Sequence, residues 1–454
     1  MRLNIVLQLF LFIIVFGCNE DKSVSIKIKN STTNFDSLFI HELVTEKLIV
    51  GISLKDTSTV HRFTVDDATL CVMSIKGMNT TWLTIISHGD RKVVTVDSIA
   101  MNTVNSIGDS LVNFLWHSQN EMFSTYSALL FEKNDPNKVR AVFDSQTSAR
   151  AEIIKDQYPV LNREEIDLLE YQNKARTYNF LMYYGRIVKN FPPNSPFFSF
   201  IGNIENGNTY IKTFPDVVLY RYETEFLQKN DSIPDIESFL KYIEAETSDQ
   251  DLLSFLKIIY LKRIIENPSY WRKHRQIFTT TSITNALLRE NSNKYIQLIS
   301  KTSDSFFSSQ KGVIGFNFSA TKTNGSKMNL SDLTGKVIVI DVWATWCSPC
   351  VSQRPAMLEL AKKYQNNPDI AVIMLSVDSS IERWKEYVSR TNIGNYGLDL
   401  NIPDGMSAEF GEKYCIKSIP RYIIINRQGQ IVNANSPEPS PALEQLIEQE
   451  LLKL

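Results

Sequence analysis

The stretch that decides the fold of this chain is VIDVWATWCSPC, Val339–Cys350. It is an apolar run of strand type, a short polar turn, and two cysteines two residues apart with Pro349 between them. Pro at the first turn of a helix loses no hydrogen bond that the helix would have made, so the spacing predicts that a helix opens at the first cysteine. A buried strand running into a helix that starts on CxxC is the pattern of an α/β domain with a dithiol site. The helix N-terminus supplies backbone N–H groups and the positive end of the dipole, which favour a thiolate at Cys347. Cys350 lies one turn on, facing inward and within reach of a mixed disulfide.

A structural zinc site would need four ligands, usually a second Cys or His pair. No histidine lies between residues 311 and 454, and the only other cysteine there is Cys415. The expectation is therefore a redox pair, no metal, and no cofactor beyond the Cys347–Cys350 disulfide itself.

Outward from this stretch, alternating strands and helices are expected. Strands fall at 336–342 and 370–377, helices at 349–364 and 381–388, a hairpin at 421–426 and 430–433 around Gln428-Gly429, and a last helix at 441–451. Upstream, residues 308–315 (SSQKGVIG) read as a linker. From about 108 to 304 the apolar period is helical. Leu252, Leu253, Leu256, Ile259, Tyr260 and Ile264 form an amphipathic stripe, and Trp116, Tyr183, Tyr184, Phe197 and Trp271 are expected in helix-packing core. From Val24 to about Asp97, short Val/Ile/Thr-rich runs separated by Asn, Asp, Gly or Ser read as a small sandwich or barrel. The expected fold class is thus multidomain: a β-rich N-terminal module (24–107), a central α-helical segment (108–308) and a C-terminal α/β thioredoxin-like fold (311–454).

At 454 residues the chain is too long for one core, and a net charge of −2 without a Lys/Arg-rich run gives no reason to expect nucleic acid. The first residues carry an address. Arg2 precedes LNIVLQLFLFIIVFG, too short to span a bilayer but fitting a secretory signal over 1–17. Val15-Phe16-Gly17-Cys18 resembles a bacterial lipobox, which implies lipidation at Cys18 and a polar tether over 18–23. The expected location is the cell envelope of a Gram-negative bacterium, lipid-anchored, facing the periplasm or exposed at the surface. There disulfides persist.

With these residues in view, MNLSDLTGKVIVIDVWATWCSPC resembles the thioredoxin superfamily, and within it the extracytoplasmic TlpA/ResA-like thiol–disulfide oxidoreductases. The matching features are Ser331-Asp332-Leu333-Thr334-Gly335-Lys336, the core Trp343–Cys350, the helix-kinking Pro355, and the cis-proline loop Ser418-Ile419-Pro420. The resemblance covers about the last 140 residues. It implies that Cys347 attacks, Cys350 resolves, and Asp341 is the buried acid that takes the Cys350 proton. It further implies that Trp346, Ser348, Pro349, Ile419 and Pro420 meet the substrate segment, with Pro420 cis and the Ile419 backbone presented to it. Two departures stand out: Met374 where cytosolic thioredoxins carry a lysine near the acid, and Gln353 where a Glu is common. The implied partners are disulfide-containing extracytoplasmic client proteins and a membrane electron donor. Reduction of client disulfides leads, with two alternatives open: an oxidase or isomerase, and a binding lipoprotein that uses the thioredoxin domain as scaffold. Cys71 and Cys415 are either idle buried thiols or a regulatory pair.

Overall fold

The computed structural model describes residues 23–453 apart from 56–58, 77, 79–80, 99, 105, 126–135, 158–159, 205–208, 231, 267–276, 392–395 and 404. Cys18, the signal segment, residues 18–22 of the tether and Trp271 lie outside the described residues, while Ser23, expected in the tether, already pairs in the first strand. The chain divides into two compact units, Met1–Val218 and Leu219–Leu454.

The first unit begins with β1 (Ser23–Asn30), β2 (Ser37–Glu42), β3 (Leu48–Ser53), β4 (Val60–Thr64), β5 (Thr69–Ile75), β6 (Trp82–Ile86), β7 (Arg91–Val96) and β8 (Met101–Val104). They form two four-stranded sheets, ordered β4-β1-β7-β8 and β3-β2-β5-β6. Alternate residues of both sheets meet in one core, Val24, Ile26 and Ile28 from one and Leu38, Ile40 and Met73 from the other, so the module is a sandwich. Helix α1 (Ile107–Thr125) leans on β6, where the buried Asp109 carboxylate accepts Ile85 N–H at 2.8 Å and pairs with Lys92 at 3.2 Å. Helices α2 (Pro136–Lys155) and α3 (Arg163–Tyr183) follow. The latter is capped by Asn162 in a reciprocal box with Glu165 and continues into a π turn, Tyr184–Val188. Tyr184 and Phe197 are buried as expected, whereas Tyr183 is 45% exposed, because neighbouring helical residues point roughly 100° apart and Tyr184 takes the inward direction.

In the second unit, which starts inside α4 (Asp216–Asn230), come α5 (Ile236–Glu246), α6 (Gln250–Glu266), α7 (Thr280–Arg289) and α8 (Gln297–Ser308). The amphipathic stripe expected on α6 is corrected. Phe255, Ile258, Leu261 and Ile265 are buried alongside the stripe residues, because α5, α7 and α8 cover the helix from different sides. The linker is corrected as well. Gly312 N–H donates to Ile431 O at 2.8 Å, Ile431 N–H to Val313 O at 2.8 Å, and Gly315 N–H to Gly429 O at 2.8 Å, which pins the connection to the hairpin ahead of it.

The remaining elements are β9 (Ser319–Lys322), β10 (Lys327–Asn329), β11 (Val337–Trp343), α9 (Ser348–Tyr364), β12 (Ile370–Ser376), α10 (Ile381–Thr391), β13 (Leu398–Asn401), α11 (Glu409–Lys413), β14 (Arg421–Ile425), β15 (Ile431–Ser436) and α12 (Pro441–Leu451). The sheet order is β10-β9-β13-β12-β11-β14-β15, with β11 central, parallel to β12 and antiparallel to β14. One face buries Val337 and Val339 against Met357 of α9 and Leu443 and Ile447 of α12. The other buries Ile338 and Ile340 with Trp384 of α10 and Phe410 of α11. This two-sided burial is why β11, apart from Asp341, and β12, up to Ser376, read as near-continuous apolar runs. Among the described residues no helix is long and apolar enough to cross a membrane.

Candidate active site

Every residue of β11 is buried, and Asp341 sits within it at 3% exposure. Desolvation is the main influence on its carboxyl and pushes the pKa up to about 7; the Arg354 cation pulls it down and Asp399 pushes it up. In register, Asp341 pairs with Met374 of β12, and Met374 with Asp399 of β13. The side chains of this row lie on the face covered by α9, since alternate strand residues share a face.

At the end of β11 the chain turns through Ala344-Thr345-Trp346. The buried Asp378 holds that turn: its carboxylate accepts Thr345 N–H at 2.9 Å, Thr345 Oγ1–H at 2.7 Å and Ser376 Oγ–H at 2.8 Å. Asn401 donates to Asp378 O at 3.0 Å and fixes the other side. Cys347 then caps α9 with extended backbone, and its sulfur accepts the Cys350 N–H at 3.2 Å, as a capping oxygen would. The two cysteines form a disulfide with Cα atoms 5.2 Å apart, and both are buried, at 5% and 3% exposure. Ser348 and Pro349 are exposed, and Trp346 is 58% exposed beside them. The Ile419–Pro420 peptide is cis. Ile419 packs half-buried against the cluster that contains both cysteines. Sequence-distant residues are therefore assembled at one end of the sheet: the Cys347–Cys350 pair, the Trp346 indole and the cis-proline loop.

Arg354, Asp399, Asp378 and Thr345 were missed from sequence. Arg354 is 2% exposed, pairs with Asp399 Oδ1 at 2.7 Å, and lies over the Trp343 ring at 3.7 Å. A signal for it existed. Cys350, Arg354, Met357, Ala361 and Tyr364 are spaced as one face of a helix, and all five are buried. An arginine on such a face demands a carboxylate. The reading that Met374 removes the charge partner of Asp341 is thereby corrected: the cation comes from α9 instead of β12. Gln353 accepts the Tyr422 hydroxyl proton at 2.6 Å and donates to Glu438 at 2.8 Å. Cys71 and Cys415 are free, buried thiols, and burial pushes both pKa values up. Among the described residues no group of three or more His, Cys, Asp or Glu is placed to hold a metal ion.

Comparison with known proteins agrees with this geometry. The thioredoxin-like family profile matches residues 335–431. The chain is 30% identical over 116 residues to the thiol-disulfide oxidoreductase ResA of Bacillus thuringiensis (strain Al Hakam), covering 26% of this chain and 64% of that protein. It thus spans less than two thirds of the length of that relative. It is 31% identical over 125 residues to the thioredoxin-like protein YneN of Bacillus subtilis (strain 168), covering 27% of this chain and 69% of that protein. Among solved structures, the thioredoxin domain of a thiol-disulfide oxidoreductase from Bacteroides vulgatus matches 31% of this chain and 96% of that one, at 21% identity and a TM-score of 0.28. Through residues 335–431 and the dithiol site they carry, the chain belongs to the thioredoxin-like family.

Proposed function

We propose that the protein is an extracytoplasmic, lipid-anchored thiol–disulfide oxidoreductase that reduces disulfides in client proteins. The observation that carries this is the Cys347–Cys350 disulfide at the N-terminus of α9, with the Ile419–Pro420 loop packed against its cluster. The name of the ResA relative supports the same chemistry. Placement outside the cytoplasm rests on the signal and lipobox pattern that ends at Cys18.

In the reduced protein, the Cys347 thiolate attacks one sulfur of a client disulfide. The client S–S bond breaks, a mixed disulfide forms, and the leaving sulfur takes a proton. Cys350 then gives its proton to the Asp341 carboxylate, and its sulfur attacks Cys347. The Cys347–Cys350 bond forms as the second client sulfur leaves, so two electrons pass to the client. A dithiol donor at the membrane resets the pair by the same exchange in reverse. Trp346, Ser348, Pro349 and the Ile419 backbone meet the client segment.

The test is the reduction potential of the Cys347/Cys350 couple in the full chain, read from Trp346 fluorescence against a dithiol buffer. A value at or below about −230 mV, between glutaredoxin and thioredoxin, supports reduction. A value near about −120 mV makes the protein an oxidant and reverses the proposed direction.

A further inference from the structure

Behind the dithiol lies a layer of buried charge of which the exchange as written above uses only Asp341. Four polar atoms in it have no hydrogen-bond partner among the described residues: Asp341 Oδ1, Arg354 Nε and Nη1, and Asp399 Oδ2. Arg354 and Asp399 are joined by one contact, Nη2 to Oδ1 at 2.7 Å, and the guanidinium plane lies against Trp343, two residues beyond Asp341 on the same strand face. Burying an arginine and two carboxyls this deeply is costly, and an apolar trio would fill the space without that cost. The pair is also one contact short of a bidentate fork, which leaves the rest of the guanidinium free to act on its surroundings.

The groups set around Asp341 are few. Across β12 it meets Met374, across β14 Tyr422, whose hydroxyl is committed to Gln353 at 2.6 Å, and α12 brings Leu443 and Ile447 to this face. The charged groups that act on it are Arg354 from α9 and Asp399 from β13. Their effects are opposite, the cation favouring the carboxylate and the anion favouring the acid, with the cation the larger.

We propose that Arg354, anchored by Asp399 and stacked on Trp343, is a positioning residue that keeps Asp341 able both to take the Cys350 proton and to give it back. The inference rests on the dithiol reading above. The step it governs is resolution. One proton moves from the Cys350 thiol to the Asp341 carboxylate, the Cys350–Cys347 bond forms, and the Cys347–client bond breaks with its electron pair leaving on the client sulfur. Without the cation, burial holds the proton on Asp341 and leaves no base at neutral pH. With the cation unopposed, Asp341 stays ionised and is too weak a base for a thiol proton. Asp399 sets the balance between these limits.

The experiment follows the Asp341 carboxyl by NMR in the oxidised full chain labelled with 13Cγ-aspartate, the resonance being assigned by its loss in Asp341→Asn. Arg354→Met should move the midpoint up by roughly one pH unit or more, Asp399→Asn should move it down, and Arg354→Lys should restore it most of the way. In parallel, a Cys347 mixed disulfide with 5-thio-2-nitrobenzoate reports resolution by release of the coloured thiol. Its pH midpoint should shift in the same directions. Opposite shifts from the two variants distinguish charge from packing, because a structural defect would not invert between them. No shift, shifts of one sign, or a carboxyl shift that leaves the release profile unmoved overturns the proposal. If the carboxyl behaves as expected and Cys350 releases the probe, yet the wild-type protein reduces no client disulfide, the proposed client chemistry fails while the role of Arg354 stands.

Discussion

Asp378 and Thr345 are joined by two hydrogen bonds, from the Thr345 N–H at 2.9 Å and its hydroxyl at 2.7 Å, so a carboxylate from the end of β12 fixes the turn two residues before Cys347. Asp378→Ala removes the acceptor for three buried or half-buried donors, Ser376 Oγ–H included. It is expected to destabilise the protein by about 2–4 kcal/mol and to slow attack by Cys347. Urea denaturation checks the first, and alkylation kinetics of reduced Cys347 the second. A loss under about 0.5 kcal/mol would show that the turn is held by its own backbone.

The two cysteines should separate cleanly by mutation. Cys350→Ser is expected to accumulate client proteins in disulfide linkage to Cys347, visible as bands on non-reducing gels that collapse with reductant. Cys347→Ser should trap nothing and lose reductase activity by a factor of at least about a thousand. Trapping by the second variant would assign the attack to Cys350.

Stability should depend on pH through Asp341. Its folded pKa is raised to about 7, above the ordinary carboxyl range, so the folded state holds a proton that the unfolded state has released. The stability from this group is therefore full below about pH 4, falls as pH rises toward 7, and is flat above, a change on the order of 4 kcal/mol. Asp341→Asn should remove that dependence, raising Tm more at pH 8 than at pH 4. Thermal melts of both proteins across this range decide it; parallel curves would mean that Asp341 titrates normally.

Trp346 offers the opposite contrast. At 58% exposure it contributes little to the core, so Trp346→Ala should change stability by no more than about 0.5 kcal/mol. It should nevertheless raise KM for client proteins severalfold while leaving exchange with a small disulfide near wild type. An equal loss on both substrates would place its role in the chemistry itself.

The legible part of the site was the part written contiguously. Strand, turn and CxxC form one run, and Pro420 followed by RYIII carries its own local signature, so the resemblance located each residue. What escaped detection was carried by pairs distant in sequence. Arg354 finds Asp399 45 residues away, and Asp378 reaches back 33 residues to Thr345. No local period encodes such pairs, although the burial face of α9 identified one member of the first. The helical region failed differently. A stripe on α6 was read from six positions, but a helix covered from several sides needs apolar residues between the stripe positions too, and Phe255, Ile258 and Leu261 were there to be counted. The short strands β9, β10 and β13 were invisible because three or four residues give periodicity too little length.

The tie between residues 312–315 and the hairpin has a consequence for solubility. A sheet that ends in an open strand invites a second molecule to continue it. Here the connection from α8 occupies the backbone donors and acceptors at the start of β15 and its turn, at Ile431 and Gly429. A neighbouring copy would have to peel that segment away before it could stack its own backbone there. The crossing from helices to sheet thus doubles as a guard against fibre-like growth at that border.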